Sequence, residues 1–347
     1  MKRFATLMLL VGLGPAINIC AQSQTSRVDT TADDVIRVST TLVTLPVRVL
    51  NHHGKSIPDL KQEQFHVFED GVEQEIAYFE SPLDLPGEAA KTTIRPLTIA
   101  LMLDVSDSTQ FKLEQIQSTA IAFVDLLRPS DRVIIVAFDK GFQFLSEATA
   151  DRNVLRAAIH RARSGGGTSL YSALDMVLSQ RLNRTAGRKA IVLLTDGVDT
   201  ASTGATYEST IRAAQASDAA IYPVQYNTYG DFADNPTRET YGNGNLNQTA
   251  HMTKGGELAS EAYKRATLYL QLLAAKTSGY FQFADSTKNL AQSFERIATQ
   301  LRQQYTLGYY PRNKVADGAQ RQIKVEVGSP NVTVRTRKSY IYNQPPR

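Results

Sequence analysis

Three short segments of the 347-residue chain combine carboxylate and hydroxyl side chains next to apolar runs. They are residues 104–108 (DVSDS), 165–169 (GGGTS) and 195–197 (TDG). Hard divalent cations prefer oxygen donors in a near-octahedral array, and these segments supply both kinds of oxygen. Mg²⁺ fits this donor chemistry best. The segments therefore predict a metal site, provided that the fold brings them together.

The runs between these motifs predict the elements that would position them. Apolar runs that suit buried strands alternate with segments whose apolar residues recur at helical spacing. The strand runs are 97–103, 132–138, 190–195, 220–225 and 280–283, and the helical segments are 113–127, 170–178, 207–217, 268–275 and 290–301. This alternation predicts an α/β fold with a doubly wound, mostly parallel sheet, in which ligands bind at the carboxyl ends of the strands.

Short β-type runs stand on both sides of this α/β region. A hairpin of 65–69 with 74–79 is predicted around Asp70-Gly71, because this dipeptide suits a two-residue turn. Neither flank has enough strands to bury a core alone, so we expect both to form one β-sandwich-like module. The α/β domain would then be an insertion in that module.

The predicted boundaries follow from these patterns and from stretches rich in turn residues. Residues 229–256 lack an apolar period, which predicts a long surface loop that could contact a partner. The segments in order are a signal peptide (1–21), a flexible mature N-terminus (22–35), the first part of the β module (36–81), a linker (82–96), the α/β domain (97–304) and the second part of the β module (305–343).

The first 21 residues have the pattern of a secretory signal peptide. Lys2 and Arg3 precede a short apolar stretch, and Ala21 ends a plausible cleavage site. The apolar stretch is too short for a transmembrane anchor, so we expect no transmembrane helix in the mature chain and a secreted, periplasmic or cell-surface location. Cleavage would remove Cys20, the only cysteine, and with it any disulfide or thiol chemistry. Lipid attachment at Cys20 is an alternative, which Ile19 before it disfavours.

Composition and charge narrow the classes of partner. The chain is 42% hydrophobic and 21% charged, which is typical of globular proteins. Its net charge is only +4, and basic and acidic residues are interspersed, so nothing favours a nucleic-acid partner. A small basic cluster, Arg335, Arg337 and Lys338, is interpreted as a solvated strand face, with a polyanion site as the alternative.

The order DVSDS, GGGTSL and LLTDG resembles the von Willebrand factor type A domain and its metal-ion-dependent adhesion site, over about residues 95–304. The resemblance implies that Asp104, Ser106, Ser108, Thr168 and Asp196 hold Mg²⁺ or Mn²⁺. In that family the serines and threonine contact the ion directly, and the aspartates bind directly or through water. The resemblance also implies an open coordination position that a carboxylate of a protein partner fills. The expected function is non-enzymatic, adhesion-type protein binding.

Two features modify this resemblance. Asp107 adds a carboxylate inside the first motif, where the family often has glycine, and this could change ion preference. The 229–256 loop is longer than expected and could reshape the binding face. The flanking β segments resemble those of a secreted bacterial subgroup of the family, best known from acidobacteria.

Other interpretations of the same residues remain open. Ser108 or Thr109 could simply cap a helix that begins near Phe111. Asp104 could be the nucleophile of a metal-dependent hydrolase or phosphatase, although that pattern has a second aspartate where this chain has Ser106. A structural component of the cell envelope that binds no metal is a third class.

Overall fold

The apolar runs and helical periods appear as regular elements in a computed structural model, which describes residues 42–82, 96–226, 259–315 and 317–342. The strands are β1 (Val43–Leu50), β2 (Phe65–Glu69), β3 (Val72–Gln74), β4 (Ile76–Glu80), β5 (Thr98–Asp104), β6 (Arg132–Phe138), β7 (Phe142–Phe144), β8 (Lys189–Thr195), β9 (Ala220–Tyr226), β10 (Gln282–Ala284), β11 (Tyr305–Tyr309), β12 (Gln320–Val327), β13 (Thr333–Arg335) and β14 (Ser339–Ile341). The helices are α1 (Leu113–Leu126), α2 (Arg152–His160), α3 (Leu170–Met176, continued by a π-helical turn, Val177–Leu182), α4 (Tyr207–Ala216), α5 (Ala259–Thr277) and α6 (Thr287–Arg302).

The central region is a six-stranded sheet in the order β10-β9-β8-β5-β6-β7. All of its neighbours pair in parallel except β7, which returns antiparallel beside β6. The apolar strand residues are buried because helices cover both faces, and each face has its own hydrophobic cluster. The predicted α/β fold with a doubly wound, mostly parallel sheet is confirmed. The edge strand β7 and helix α2 had no counterpart in the sequence prediction.

The strand order places the motif loops next to one another. Strands β5 and β8 are neighbours, with Leu103 opposite Leu194, and β9 lies on the other side of β8. Parallel neighbours end at the same edge of a sheet. Consequently the residues that follow β5 and β8 meet there, as a metal site would require.

Two antiparallel sheets account for the flanking segments. Their orders are β13-β1-β11-β4 and β14-β12-β2-β3, so each sheet combines strands from before and after the α/β region. Both sheets contribute to one hydrophobic cluster that includes Leu45, Val67, Tyr305 and Val325. The described residues belong to one compact unit that spans Thr40–Arg347. The division into an inserted domain and a two-part β-sandwich-like module stays a prediction.

The hairpin at Asp70-Gly71 is shorter than predicted. Asp70 and Gly71 both have positive φ, 49° and 82°, which suits the tight turn between β2 and β3. The strand predicted over 74–79 is interrupted at Glu75, however, and β4 pairs with β11 in the other sheet. The predicted second strand therefore divides between two sheets, which the local sequence pattern could not indicate.

The interpretation of Arg337 as part of a solvated strand face is wrong. Arg337 is only 3% exposed. Its guanidinium donates hydrogen bonds to the main-chain oxygens of Gln215 and Ser217, at the end of α4, and of Ser339. Burial lowers the pKa of Arg337 to about 10, while the charge of Asp218 acts in the opposite direction. This side chain thus fastens the C-terminal strands to the α/β region, whereas Arg335 is exposed.

Several predicted segments lie outside the described residues: the signal peptide 1–21, the N-terminus 22–35, the start of the first β segment at 36–41, most of the 82–96 linker and the 229–256 loop. Among the helices that the structure describes, none is both long and apolar enough to cross a bilayer.

Candidate functional site

Asp104 lies at the centre of the sheet edge, as the last residue of β5. Its carboxylate is fully buried. One oxygen, Oδ1, accepts hydrogen bonds from the Ser106 main-chain N–H at 3.0 Å and from the Ser106 hydroxyl at 2.6 Å. The other, Oδ2, accepts one from the Thr195 hydroxyl at 2.6 Å. The carboxylate is therefore held by its own loop and by the neighbouring strand β8.

Asp196 follows β8 at the same edge and is 2% exposed. Its Oδ1 accepts a hydrogen bond from the Val198 N–H at 3.0 Å, and its Oδ2 is 3.4 Å from the Tyr263 hydroxyl of α5, which donates to it. Its main-chain oxygen accepts a 2.8 Å hydrogen bond from the side-chain amide of Gln225. Strand β9 and helix α5 thus position Asp196 from the side opposite to Asp104.

The two buried carboxylates interact unfavourably when both are ionised. Burial first, and then the nearby charge of Asp196, together raise the pKa of Asp104 from 3.8 to about 7. The hydrogen bonds from Ser106 and Thr195 act in the opposite direction but do not compensate. Two buried carboxylates at close range need a shared proton or a cation to be stable. A divalent ion between the two carboxylates would compensate their negative charge.

The glycine-rich segment is hydrogen-bonded to both motif loops. The N–H of Gly165 donates to the main-chain oxygen of Val105 at 2.9 Å, and the Asp107 N–H donates to the oxygen of Gly166 at 3.0 Å. The Thr168 N–H donates to the hydroxyl of Thr200, four residues after Asp196, at 2.8 Å. Thr168 itself is buried. The structure thus brings the segments that hold Asp104, Thr168 and Asp196 together.

Close packing explains why this segment contains glycines. A Cβ atom on Gly165 would lie 1.6 Å from a carboxylate oxygen of Asp139, and one on Gly167 would lie 2.8 Å from the Thr200 hydroxyl. Neither position can carry a side chain without displacing its neighbour. The glycines let the loop approach the end of β6 and the loop after β8, so they serve loop packing.

Ser108 is placed only through its backbone. It lies in a 3₁₀ turn, Asp107–Lys112, that precedes α1, and its side chain is outside the description. Ser106 precedes this turn without a side-chain capping hydrogen bond, because its hydroxyl bonds to Asp104 instead. The helix-cap interpretation named Ser108 or Thr109; the Thr109 hydroxyl donates a 2.8 Å hydrogen bond to the main-chain oxygen of Ser106, and for Ser108 the interpretation stays untested.

The donor set at this edge suits a hard cation. Across the described residues, no group of three or more histidine, cysteine, aspartate or glutamate side chains is arranged to hold a metal. An ion here would rely on two carboxylates together with hydroxyl and water oxygens, a combination that Mg²⁺ and Mn²⁺ accept. The residues therefore fit such an ion in chemistry and in charge.

Residues 99–198 match the family model of the von Willebrand factor type A domain. The chain carries a von Willebrand factor type A domain. The match includes all five residues that the resemblance assigned to the ion, and it covers β5 to β8 of the sheet.

A curated relative matches over a similar stretch. It is the uncharacterized protein sll0103 of Synechocystis sp., which is 33% identical over 106 residues. The aligned part covers 29% of this chain and 25% of that protein, so the chain spans only a quarter of the relative's length.

Several solved structures are similar to this chain at low sequence identity. The vWF domain of the type V pili tip protein Mfa5 from Porphyromonas gingivalis is 16% identical with a TM-score of 0.43, covering 59% of this chain and 95% of that one. An aerotolerance-related membrane protein from Bacteroides fragilis is 14% identical with a TM-score of 0.42, covering 59% and 99%. A von Willebrand factor type A protein from Catenulispora acidiphila is 10% identical with a TM-score of 0.45, covering 88% and 75%.

Three residues of this edge of the type A domain were not singled out from the sequence, namely Gln225, Tyr226 and Tyr263, and Thr195 was noted only as part of the TDG segment, without a role of its own. Thr195 and Gln225 hydrogen-bond to the two aspartates, and Tyr263 reaches Asp196 from α5. Tyr226 is buried at the end of β9; burial, and then the charges of Asp104 and Asp196, raise its pKa well above the ordinary value. Polar residues at the ends of buried strands were the available signal, but nothing in the sequence indicates where their side chains point.

Proposed function

We propose that this protein binds a protein partner through a divalent ion held at the carboxyl edge of its type A domain. The observation that carries the proposal is the pair of buried carboxylates, Asp104 and Asp196, whose mutual repulsion a cation would relieve. The proposed ion is Mg²⁺ or Mn²⁺.

The ion would be held by oxygen donors from three loops. Asp104, Ser106 and Ser108 belong to the first, Thr168 to the second and Asp196 to the third. When bound, the ion supplies a positive centre with room for one more anionic oxygen. An aspartate or glutamate of a partner protein would occupy that position, so the complex would form only with metal present.

The proposed activity is non-enzymatic and takes place outside the cytoplasm. The described site holds carboxylates, hydroxyls and amides, and Ser106 occupies the position at which the phosphatase pattern has a second aspartate. Export rests on the signal-like pattern of residues 1–21. We place the protein in the periplasm, on the cell surface or in the medium.

Thermal unfolding of the full chain tests the metal site directly. A ligand that binds only the native state raises stability by mass action, by about 2.7 kcal/mol at a hundredfold excess over Kd. Mg²⁺ or Mn²⁺ should raise the Tm relative to EDTA, and the shift should vanish in Asp104→Asn. Asp131→Asn is the matched control, because Asp131 is also buried but bonds to main-chain N–H groups at the opposite edge.

The control should lose stability yet keep the full metal shift. No shift in the wild-type protein at millimolar Mg²⁺ and Mn²⁺ would refute the metal site. A metal shift accompanied by phosphate release from phosphoester substrates, lost in Asp104→Asn, would instead favour the hydrolase alternative.

A further inference from the structure

Tyr226 lies beside the proposed metal site without belonging to the expected ligand set. It is the last residue of β9, and the register of β8 with β9 places Thr195 opposite Gln225, so Tyr226 follows level with Asp196. Its ring is part of the hydrophobic cluster on the α1 and α6 face, and the residue is 4% exposed. After burial, the charges of Asp104 and Asp196 are the next causes that raise the pKa of Tyr226, so its hydroxyl lies near both carboxylates.

The hydroxyl of Tyr226 is buried and makes no hydrogen bond within the part of the chain that the structure describes. A buried polar group without a partner is unfavourable, and such a group in a native protein usually marks an ordered water or ion. The ring packs in the hydrophobic cluster, so only the missing hydrogen bond of the hydroxyl needs an explanation.

The hydroxyl of Thr109, which lies beside that of Tyr226, does not satisfy it. Thr109 is fully buried and donates its proton to the main-chain oxygen of Ser106 at 2.8 Å. It lies near the Tyr226 hydroxyl, but the two do not meet hydrogen-bond geometry. The oxygen of Thr109 can still accept a hydrogen bond. Tyr226 therefore has both a possible hydrogen-bond acceptor, Thr109, and the two carboxylates in its neighbourhood.

We propose that Tyr226 is a positioning residue whose hydroxyl oxygen accepts a hydrogen bond from a water bound to the ion at Asp104 and Asp196, while its own proton turns toward Thr109. This inference rests on the proposed metal site. Mg²⁺ retains several waters when it binds to protein, and those waters are strong donors because the ion polarises them. A fixed acceptor beside the carboxylates would hold one water and strengthen ion binding.

Tyr222 provides a matched comparison on the same strand. It lies four residues earlier in β9, in the same hydrophobic cluster, and is also buried. Its hydroxyl already has a partner, because it accepts a hydrogen bond from the side-chain amide of Gln304. The two tyrosines thus differ in their distance from the site and in whether the hydroxyl is satisfied.

Isothermal titration of the full chain with MgCl₂, together with Tm measurements in EDTA, tests the inference in Tyr226→Phe and Tyr222→Phe. Loss of a hydrogen bond from the second layer around a metal typically costs 10- to 100-fold in affinity. Tyr226→Phe should weaken Mg²⁺ binding at least tenfold without lowering the Tm in EDTA, since it removes an unsatisfied group. Tyr222→Phe should show the reverse: a lower Tm in EDTA and unchanged Mg²⁺ affinity.

The outcomes separate this inference from the proposed function. Wild-type Mg²⁺ affinity in Tyr226→Phe, with normal binding by the wild-type protein, would overturn the role of Tyr226 and leave the metal site intact. Weakened binding that parallels a lower Tm in EDTA would overturn it as well, because the effect would then be structural. Absence of Mg²⁺ binding by the wild-type protein would overturn both proposals.

Discussion

Replacing Asp104 by asparagine should remove a distinctive pH dependence of stability in the metal-free protein. The pKa of Asp104 is raised from 3.8 to about 7, first by burial and then by the charge of Asp196. A carboxyl group with a raised pKa keeps its proton in the folded state after the unfolded chain has lost it. Stability therefore falls as pH rises between about 4 and about 7.

The size of the effect follows from the two pKa values. One pKa unit corresponds to 1.36 kcal/mol, so a change from 3.8 to about 7 amounts to about 4 kcal/mol across the window. Asparagine keeps the shape of the side chain, can still accept the hydrogen bonds from Ser106, and carries no charge at any pH. The free energy of unfolding of the wild-type protein minus that of Asp104→Asn should consequently drop by about 3 kcal/mol from pH 4 to pH 7, where most of this change falls.

Urea unfolding in metal-free buffer at pH 4, 5, 6 and 7 measures this difference. The groups remote from the site largely cancel because both proteins contain them, whereas Asp196 interacts with Asp104, so the difference reports the carboxylate pair. Saturating Mg²⁺ should abolish the decline for the wild-type protein at pH 7, since the ion stabilises the ionised pair. A difference that stays flat between pH 4 and pH 7 would show that Asp104 is ionised throughout, and that the two carboxylates do not need a cation.

Three further substitutions test how the site and its frame are built. Gly165→Ala places a Cβ atom 1.6 Å from a carboxylate oxygen in the turn after β6 and should cost about 1–3 kcal/mol in urea unfolding and weaken the Mg²⁺ shift. Arg337→Met leaves buried main-chain oxygens at the end of α4 without donors and should cost about 3 kcal/mol, whereas Arg335→Met on the exposed neighbour should change stability by less than about 0.5 kcal/mol. Glu69→Gln removes the carboxylate charge that lies 2.7 Å from the buried guanidinium of Arg321 and should lower the free energy of unfolding by about 3–5 kcal/mol. Glu326→Gln, at an exposed position, should have a negligible effect on stability.

The α/β fold could be predicted because its signal is local. Six of the seven residues in 97–103 are apolar, which indicates a buried strand, and the alternation of such runs with helical periods leaves few sheet topologies. The edge at which the motifs meet follows from parallel pairing alone. The course of the chain after Glu75 was less predictable, since pairing of β4 with β11 joins residues more than 200 positions apart.

The burial and the contacts of individual polar side chains could also not be predicted from local sequence patterns. Arg335 and Arg337 are two residues apart, and the sequence pattern gives no reason to distinguish them. Arg337 is nevertheless buried against α4, whereas Arg335 is exposed. Their difference arises from what packs against each face, which is a property of the tertiary structure. The position of the Tyr226 hydroxyl could not be predicted for the same reason. The apolar sequence of β9 indicates a ring in the core, but it does not indicate that the hydroxyl lies beside two carboxylates.

The sheet edge combines features that oppose stability, and this supports a binding role for it. Asp104 and Asp196 are buried next to each other, and the Tyr226 hydroxyl close by lacks a hydrogen bond among the described residues. A structural loop would gain stability if these groups were apolar or satisfied, because uncompensated burial of charge and of polar groups is costly. Strain of this kind is expected where a ligand completes the arrangement. A divalent ion with its waters would resolve the charge repulsion and the missing hydrogen bond together, so one ligand accounts for both defects.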